Sequence, residues 1–277
     1  MEVALQWLPA PGKLNLMLRV LGRRADGFHE LQTVYRLIDR ADRVGIEVRD
    51  DGAIRFSGDF GEENLCFKAA HRLQQASGTK KGANLSLEKN LPVGGGLGGG
   101  SSDAATVLLA LNRLWNLGRS RSELMDIGLA LGADVPFFLF GESALGEGVG
   151  ERLSALALPP AWYLVLTPQV SVSTREIYAD GALTRHSKRL KIPPLLPGQC
   201  ANDLEPVATR RYPAIAAHLE WLRQRRGDAR MTGSGGCVFA EFADEREALA
   251  LHAELPDGIR GFVARGIDRH PLRDWSD

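Results

Sequence analysis

Between Pro92 and Ser102 the chain reads Pro-Val-Gly-Gly-Gly-Leu-Gly-Gly-Gly-Ser-Ser, which crowds Gly94, Gly95, Gly96, Gly98, Gly99 and Gly100 into one short span. Glycine weakens both helices and strands, so such a run needs a positive reason. Directly after it Ala104, Val107, Leu108, Leu111 and Leu114 recur at helical spacing, with Ser101 or Ser102 expected as the N-cap. A glycine loop feeding a helix N-terminus brings backbone N–H groups close to phosphate oxygens at the positive end of the helix dipole. A flexible linker is the competing explanation, but linkers do not usually run straight into a capped amphipathic helix. The whole segment, from Pro92 and Val93 through Leu97 to Ser101 and Ser102, is therefore the expected nucleotide-phosphate site.

Three loops of this kind can be separated by context. Gly94-x-Gly96-x-x-Gly99 fits the dinucleotide fingerprint literally, but the helix after it leads into a second helix at Ser120 and not into a strand ending in an acid. The P-loop signature is absent, since Gly12-Lys13 is followed by leucine. The lysine-strand, HRD and DFG motifs of protein kinases are absent too.

Around this loop, other elements must position the chemistry. Lys13 to Val20 alternates, with Leu14, Leu16, Leu18 and Val20 on one face and Lys13, Asn15, Met17 and Arg19 on the other. The pattern predicts a strand with one buried face that sets Lys13 beside Asn15. A polar loop containing Phe28 and His29 follows, then a strand from Thr33 to Ile38. Val44, Ile46 and Val48 predict another strand, and Asp51-Gly52 predicts a hairpin turn before Ile54 and Phe56. Asn64 to Ser77 reads as a helix and Ala83 to Glu88 as a strand. Ser120 to Glu123 forms a capping-box pattern opening a helix that stops near Gly132, and Asp134-Val135-Pro136 is expected just past that helix end.

Beyond Leu156 to Pro160 the pattern changes to a smaller unit, with strands at 163–167, 237–242 and 261–267 and helices at 215–226 and 244–255. That alternation predicts an α+β, ferredoxin-like layer of helices on a sheet, and divides the chain into domains 1–157 and 158–277. The 277 residues are 44% hydrophobic and 25% charged, with Lys plus Arg equal to Asp plus Glu, so the net charge is zero. A general nucleic-acid or membrane binder would carry a basic excess, so neither partner is expected. Cys66, Cys200 and Cys237 have neither disulfide-framework nor zinc-site spacing. The N-terminal residues lack the basic and apolar regions of a signal peptide, and a cytoplasmic location is expected.

Three motifs in order resemble those of the GHMP kinases, the family of galactokinase and of homoserine, mevalonate and phosphomevalonate kinases. They are Pro11-Gly-Lys-Leu-Asn15, the glycine loop with its Ser-Ser-Asp-Ala continuation, and Thr232-Gly-Ser-Gly-Gly-Cys-Val-Phe239. Within the family, the stretches 24–33, Gly132-Ala-Asp-Val-Pro136, Gly146-Glu-Gly-Val-Gly150 and Asn202-Asp203-Leu204 resemble the members that phosphorylate 4-diphosphocytidyl-2-C-methyl-D-erythritol (CDP-methylerythritol) in the non-mevalonate route to isoprenoid precursors. Gly12 stands where the family usually has alanine, and Phe28 where it usually has tyrosine.

The resemblance implies a two-domain fold, ribosomal protein S5 domain 2-like at the N-terminal side and ferredoxin-like at the C-terminal side. It implies ATP with Mg²⁺ as the phosphoryl donor and a small-molecule acceptor, in a monomer or weak homodimer. Asp134 is then the expected base, with Lys13 stabilising charge on the transferring group. Asn15, Phe28, His29, Thr232, Gly233, Ser234 and Gly235 are expected against the acceptor substrate, Phe28 and His29 at its pyrimidine. No metal ligand is singled out. A sister kinase for homoserine or mevalonate and a non-catalytic binder on the same fold are the competing readings; the Phe28-His29 pair and the joint presence of Lys13 and Asp134 separate them.

Overall fold

The computed structural model describes residues 5–57, 61–193 and 200–276; the first four residues of the N-terminal segment considered above lie outside that range. In chain order the strands are β1 Gln6–Arg23, β2 His29–Arg49, β3 Ile54–Ser57, β4 Gly82–Glu88, β5 Ala144–Gly148, β6 Arg152–Ala155, β7 Trp162–Leu166, β8 Arg230–Met231, β9 Val238–Phe242 and β10 Gly261–Ile267. The helices are α1 Leu65–Ser77, α2 Gly99–Leu114, α3 Arg121–Leu129, α4 Val135–Phe140, α5 Thr174–Ala179, α6 Glu205–Arg211, α7 Pro213–Arg223 and α8 Glu245–Ala253.

Two long antiparallel strands organise the molecule. β1 pairs with β2 from Gln6–Ile46 to Arg23–His29, with register shifts after Pro11, Asn15 and Val20. The separate strands expected at 33–38 and 44–48 are one continuous β2. Along its other edge β2 pairs with β5 through Leu31–Tyr35, with β10 at Leu37 and Ile38, and with β4 through Arg43–Arg49. Nor does β1 have a single buried face: Lys13, Asn15 and Met17 are as buried as Leu14 and Leu16. Helix α2 covers one side and the second half of the chain the other.

The Asp51-Gly52 turn does not close a hairpin. β3 pairs parallel with β4, and β4 lies between β3 and β2, so the chain crosses over through α1. In the second half the strand order β10-β7-β9-β8, all antiparallel, is the ferredoxin-like arrangement, with α8 packed on it. Its core includes Leu18, Val20 and Leu31 from β1 and β2 beside Leu164, Ile215, Leu219 and Val238. No described helix is long and apolar enough to cross a membrane.

Candidate active site

The glycine loop takes its shape from close approaches as well as torsions. Gly94, Gly96 and Gly98 are left-handed, with φ of 70°, 78° and 72°. A Cβ on Gly96 would stand 2.3 Å from the Thr232 carbonyl oxygen, and one on Gly98 2.9 Å from the Phe138 ring and 3.2 Å from Lys13 Cε. Backbone bonds tie the loop to both halves of the chain: Lys13 N–H donates to Leu97 O at 3.0 Å and Cys237 N–H to Gly95 O at 3.0 Å. Gly98, not a serine, is the N-cap of α2. Ser101 and Ser102 sit inside the first turn; Ser101 lines the cavity described below, whereas Ser102 is fully buried and donates to Pro11 O at 2.7 Å. The first-turn N–H groups of α2 have no intrahelical acceptor and make an anion site.

At the loop's inner end lies the reactive pair. Lys13 Nζ is 3.4 Å from Asp134 Oδ2, with the lysine side chain 3% exposed and the aspartate 33%. Lys13 also donates to Asn15 Oδ1, while Asn15 Nδ2 donates to Thr33 Oγ1 at 2.8 Å and that hydroxyl to Met17 O at 2.7 Å. Both ends of the Asn15 amide are thereby assigned. Tyr35, opposite Asn15 across the ladder, donates its hydroxyl to Asp134 Oδ1 at 3.1 Å. Burial, and next the Asp134 charge, push the Tyr35 phenol well above its usual range, so it remains a donor.

Asp134 is not in a plain turn after α3: it occupies the N-cap position of α4, whose early Pro136 presets the helical φ. Val135, Phe137, Phe138 and Leu139 are completely buried and anchor it. The glycines of Gly146–Gly150 serve the same centre, since a Cβ on Gly146 would lie 2.7 Å from the Tyr35 ring and one on Gly150 2.5 Å from its hydroxyl. Alanine at position 12 would meet Leu91 at 3.1 Å and Ile38 at 3.2 Å, a tight fit that the glycine relieves.

Beneath Gly99 sits a largely buried trio, of which only Asp103 falls within a motif, as the acid of the Ser-Ser-Asp-Ala continuation. Lys89 Nζ donates to Asp42 Oδ2 and, at 2.9 Å, to Asp103 Oδ2. Asp42 Oδ1 also accepts from Asn90 N at 2.6 Å and Leu91 N at 2.7 Å, which fixes the chain entering the glycine loop. Burial pushes the Asp103 carboxyl up to about 7; Lys89 opposes this and the Asp42 charge adds to it. An acid whose folded pKa lies above its unfolded value gives stability that is full below the unfolded pKa and lost as pH rises through the folded one. The melting temperature should therefore fall between about pH 4 and about pH 7, and Asp103→Asn should flatten that fall. Parallel curves for the two proteins would assign the titration elsewhere.

A cavity of about 1290 Å³ joins these parts. It is lined by Lys13, Asn15, Phe28, His29, Asp134, Gly233, Ser234 and the loop from Pro92 to Ser101. At the end away from α2, Phe28 is 62% exposed and His29 9%. Tyr178, on the six-residue α5, sets its ring centroid 5.0 Å from that of His29 and lines the same cavity, as do Tyr35, Lys89, Asp103 and Arg23. Tyr178, Tyr35, Lys89 and Arg23 did not stand out in the sequence, and Asp103 figured only as part of the motif following the glycine loop.

Thr232 and Gly235 do not line the cavity. The Thr232 hydroxyl accepts from Asn15 N at 2.9 Å, and Gly235, φ 102°, would press a Cβ to 2.8 Å from Met231 Sδ. These two shape the C-terminal glycine turn. Asn202 completes it, donating to Met231 O at 2.9 Å and Gly233 O at 2.8 Å.

This pairing of two glycine turns around a Lys–Asp couple agrees with the family comparisons. Models of the GHMP kinases N terminal domain and of the GHMP kinases C terminal match residues 64–142 and 192–259. The chain belongs to the GHMP kinase family. It is 56% identical over 275 residues to a 4-diphosphocytidyl-2-C-methyl-D-erythritol kinase of Nitrosospira multiformis, covering 97% of this chain and 94% of the relative. The enzyme of the same name from Thiobacillus denitrificans is 55% identical over 274 residues, covering 98% of both. A crystal structure of 4-(cytidine 5'-diphospho)-2C-methyl-D-erythritol kinase superposes with a TM-score of 0.80 at 37% identity, covering 94% of this chain and 99% of that one.

Proposed function

We propose that this chain transfers the γ-phosphoryl group of ATP to the 2-hydroxyl of CDP-methylerythritol. The observation that carries the reading is the placement, in one cavity, of the Lys13–Asp134 pair beside the glycine loop and of Phe28, His29 and Tyr178 at its other end. Asp134 takes the proton of the attacking hydroxyl as its oxygen bonds to the γ-phosphorus and the bond to the β,γ-bridging oxygen breaks. Lys13 stabilises charge on the transferring group, and Tyr35 and Lys13 together hold the carboxylate so that its exposed side faces the cavity. The N–H groups opening α2 hold the phosphates. Asn15, with its amide already oriented, faces the acceptor, and Gly233 and Ser234 close over it. Phe28 and Tyr178 offer aromatic faces to the pyrimidine and His29 a hydrogen bond to its edge.

Among the described residues no three His, Cys, Asp or Glu side chains gather to hold a metal. That suits Mg²⁺, which keeps several waters and takes its other oxygens largely from nucleotide phosphates. The Ser101 hydroxyl lines the cavity, 3.8 Å from where a Gly132 Cβ would stand in the turn leading to Asp134, and would help hold the ion. Mg²⁺ bound there would neutralise charge on the β- and γ-phosphate oxygens. The same reading places the enzyme in the cytoplasm as a monomer or weak homodimer with no nucleic-acid partner, and divides the chain at 157/158.

Transfer from labelled ATP to CDP-methylerythritol, mevalonate and homoserine, run side by side, tests the assignment. Transfer only to the cytidine substrate is expected; preference for either of the others would overturn it. The loop has its own test. Gly100 lies in the first turn of α2 and faces the cavity, and a methyl placed on it would meet only Leu65 Cδ1, at 3.6 Å. Gly100→Ala should leave the melting temperature unchanged or slightly raised, since alanine favours a helix over glycine by about 0.5–1 kcal/mol. The added methyl should at the same time raise KM for ATP by about tenfold through lost backbone approach. Unaltered ATP affinity would move the phosphates off α2.

A further inference from the structure

We propose that Arg185 is the positioning residue of the base pocket: it holds His29 as the Nδ1–H tautomer and thereby sets which base edge the pocket accepts. Arg185 belongs to none of the motifs discussed above and lies in the irregular segment after α5. Its Nε–H points at His29 Nε2, 3.1 Å away. A guanidinium has no lone pair to offer, so the ring nitrogen facing it must be the acceptor. In a neutral imidazole the proton then resides on Nδ1. Burial, then the charges of Arg185 and Arg23, lower the His29 pKa, which keeps the ring neutral, and the Tyr178 ring packs beside it.

The rest of the guanidinium is equally committed. Nη2 donates to the carbonyl oxygens of Tyr178, at 2.9 Å, and Asp180, at 2.8 Å, and Nη1 to that of Leu183 at 3.2 Å. One planar cation therefore clasps the C-terminal end of α5 to the first residue of β2. It sets the Tyr178 ring against the His29 ring and orients both. Lysine, a single flexible point donor, can reach the imidazole or the carbonyls but cannot reproduce the fork.

The consequence for recognition rests on the reading that this pocket takes a cytidine. An Nδ1–H donor pairs with cytosine N3, which carries a lone pair, and is mismatched with uracil N3, which carries a hydrogen. Arg185 thus acts on specificity through His29 without touching the reacting atoms.

The experiment combines ¹⁵N shifts of the His29 ring, identified by their loss in His29→Gln, with kcat/KM for the cytidine substrate and its uridine counterpart. Wild-type protein is expected to show protonated Nδ1. In Arg185→Met the ring should move to the Nε2–H form, KM for the cytidine substrate should rise, and the cytidine-over-uridine preference should fall by about tenfold, one hydrogen bond's worth of discrimination. KM for ATP should stay unchanged. Arg185→Lys should restore the tautomer and part of the preference. A Met variant that keeps Nδ1–H, or keeps the full preference, overturns the proposal even if its melting temperature drops, because a merely structural arginine predicts that result. The ring shifts need no substrate. If wild-type protein phosphorylates no cytidine compound, the proposed function fails, and the tautomer alone decides whether Arg185 sets the ring.

Discussion

Asp134→Asn is expected to lower kcat by about 10²–10⁴-fold, the usual contribution of a positioned general base. Asparagine keeps the size of the side chain and can still accept from the Tyr35 hydroxyl, 3.1 Å away in the wild-type protein, but it cannot take a proton. Asp134 makes no side-chain cap bond to α4, so the helix does not depend on its charge. The melting temperature and KM for ATP should accordingly change little. Lys13→Met should also depress kcat, and the double variant should lose less than the product of the two effects, because the residues act on one transition state as a unit. The deciding quantity is kcat per folded molecule. A value for Asp134→Asn within about threefold of wild type, far short of a missing base, would remove the residue from the chemistry.

Gly96→Ala should do the opposite of Gly100→Ala, four residues away in the same loop. At Gly96 the backbone is left-handed, which costs an L-residue about 1–2 kcal/mol. Its new methyl would also stand 2.3 Å from the Thr232 carbonyl oxygen, and backbone cannot rotate aside as a side chain can. Overpacking of that kind adds about 1–3 kcal/mol. The melting temperature should fall by several degrees, and turnover should drop with it, since Thr232 also supports the Asn15 backbone through its hydroxyl. A thermal scan showing both glycine variants as stable as wild type would mean that the two glycine turns do not interlock. Gly98→Val is a poorer probe of phosphate binding, because its side chain would strike Phe138 and Lys13 before meeting a ligand.

What could be read from the sequence was whatever local chemistry determines. The Ser120–Glu123 capping box forms as expected, and so do α1 from its Asn64 cap and β10 over its full expected length. The glycine loop and the Lys13–Asp134 approach also follow from the motifs. Features that depend on tertiary contact were not legible. β1 and β2 are buried on both faces, so period-two alternation marked only part of each strand. The Asp51-Gly52 dipeptide makes a turn whichever strand comes next, and only pairing shows that β4 intervenes. Proline after Asp134 suggested a break, whereas at the first turn of α4 it favours the helix. Tyr178 sits on a helix with a single buried residue, Ile177, too short for periodicity to reveal. Lys89, Asp42 and Asp103 are 14 to 61 positions apart and become one cluster only when β2, the loop and α2 converge.

The long first hairpin also bears on how such a protein can be divided and inherited. Leu18, Val20 and Leu31 complete the core of the second half, while Gly266 and Ile267 of the last strand complete the edge of β2. A boundary in the chain near 157 is thus not a boundary in the packing. Cutting there would leave the C-terminal fragment without three core side chains and β2 without its β10 neighbour. The two halves are therefore poor cassettes: exchange with a distant relative has to carry the first hairpin and the C-terminal sheet together, and substitutions in either must be accommodated by the other.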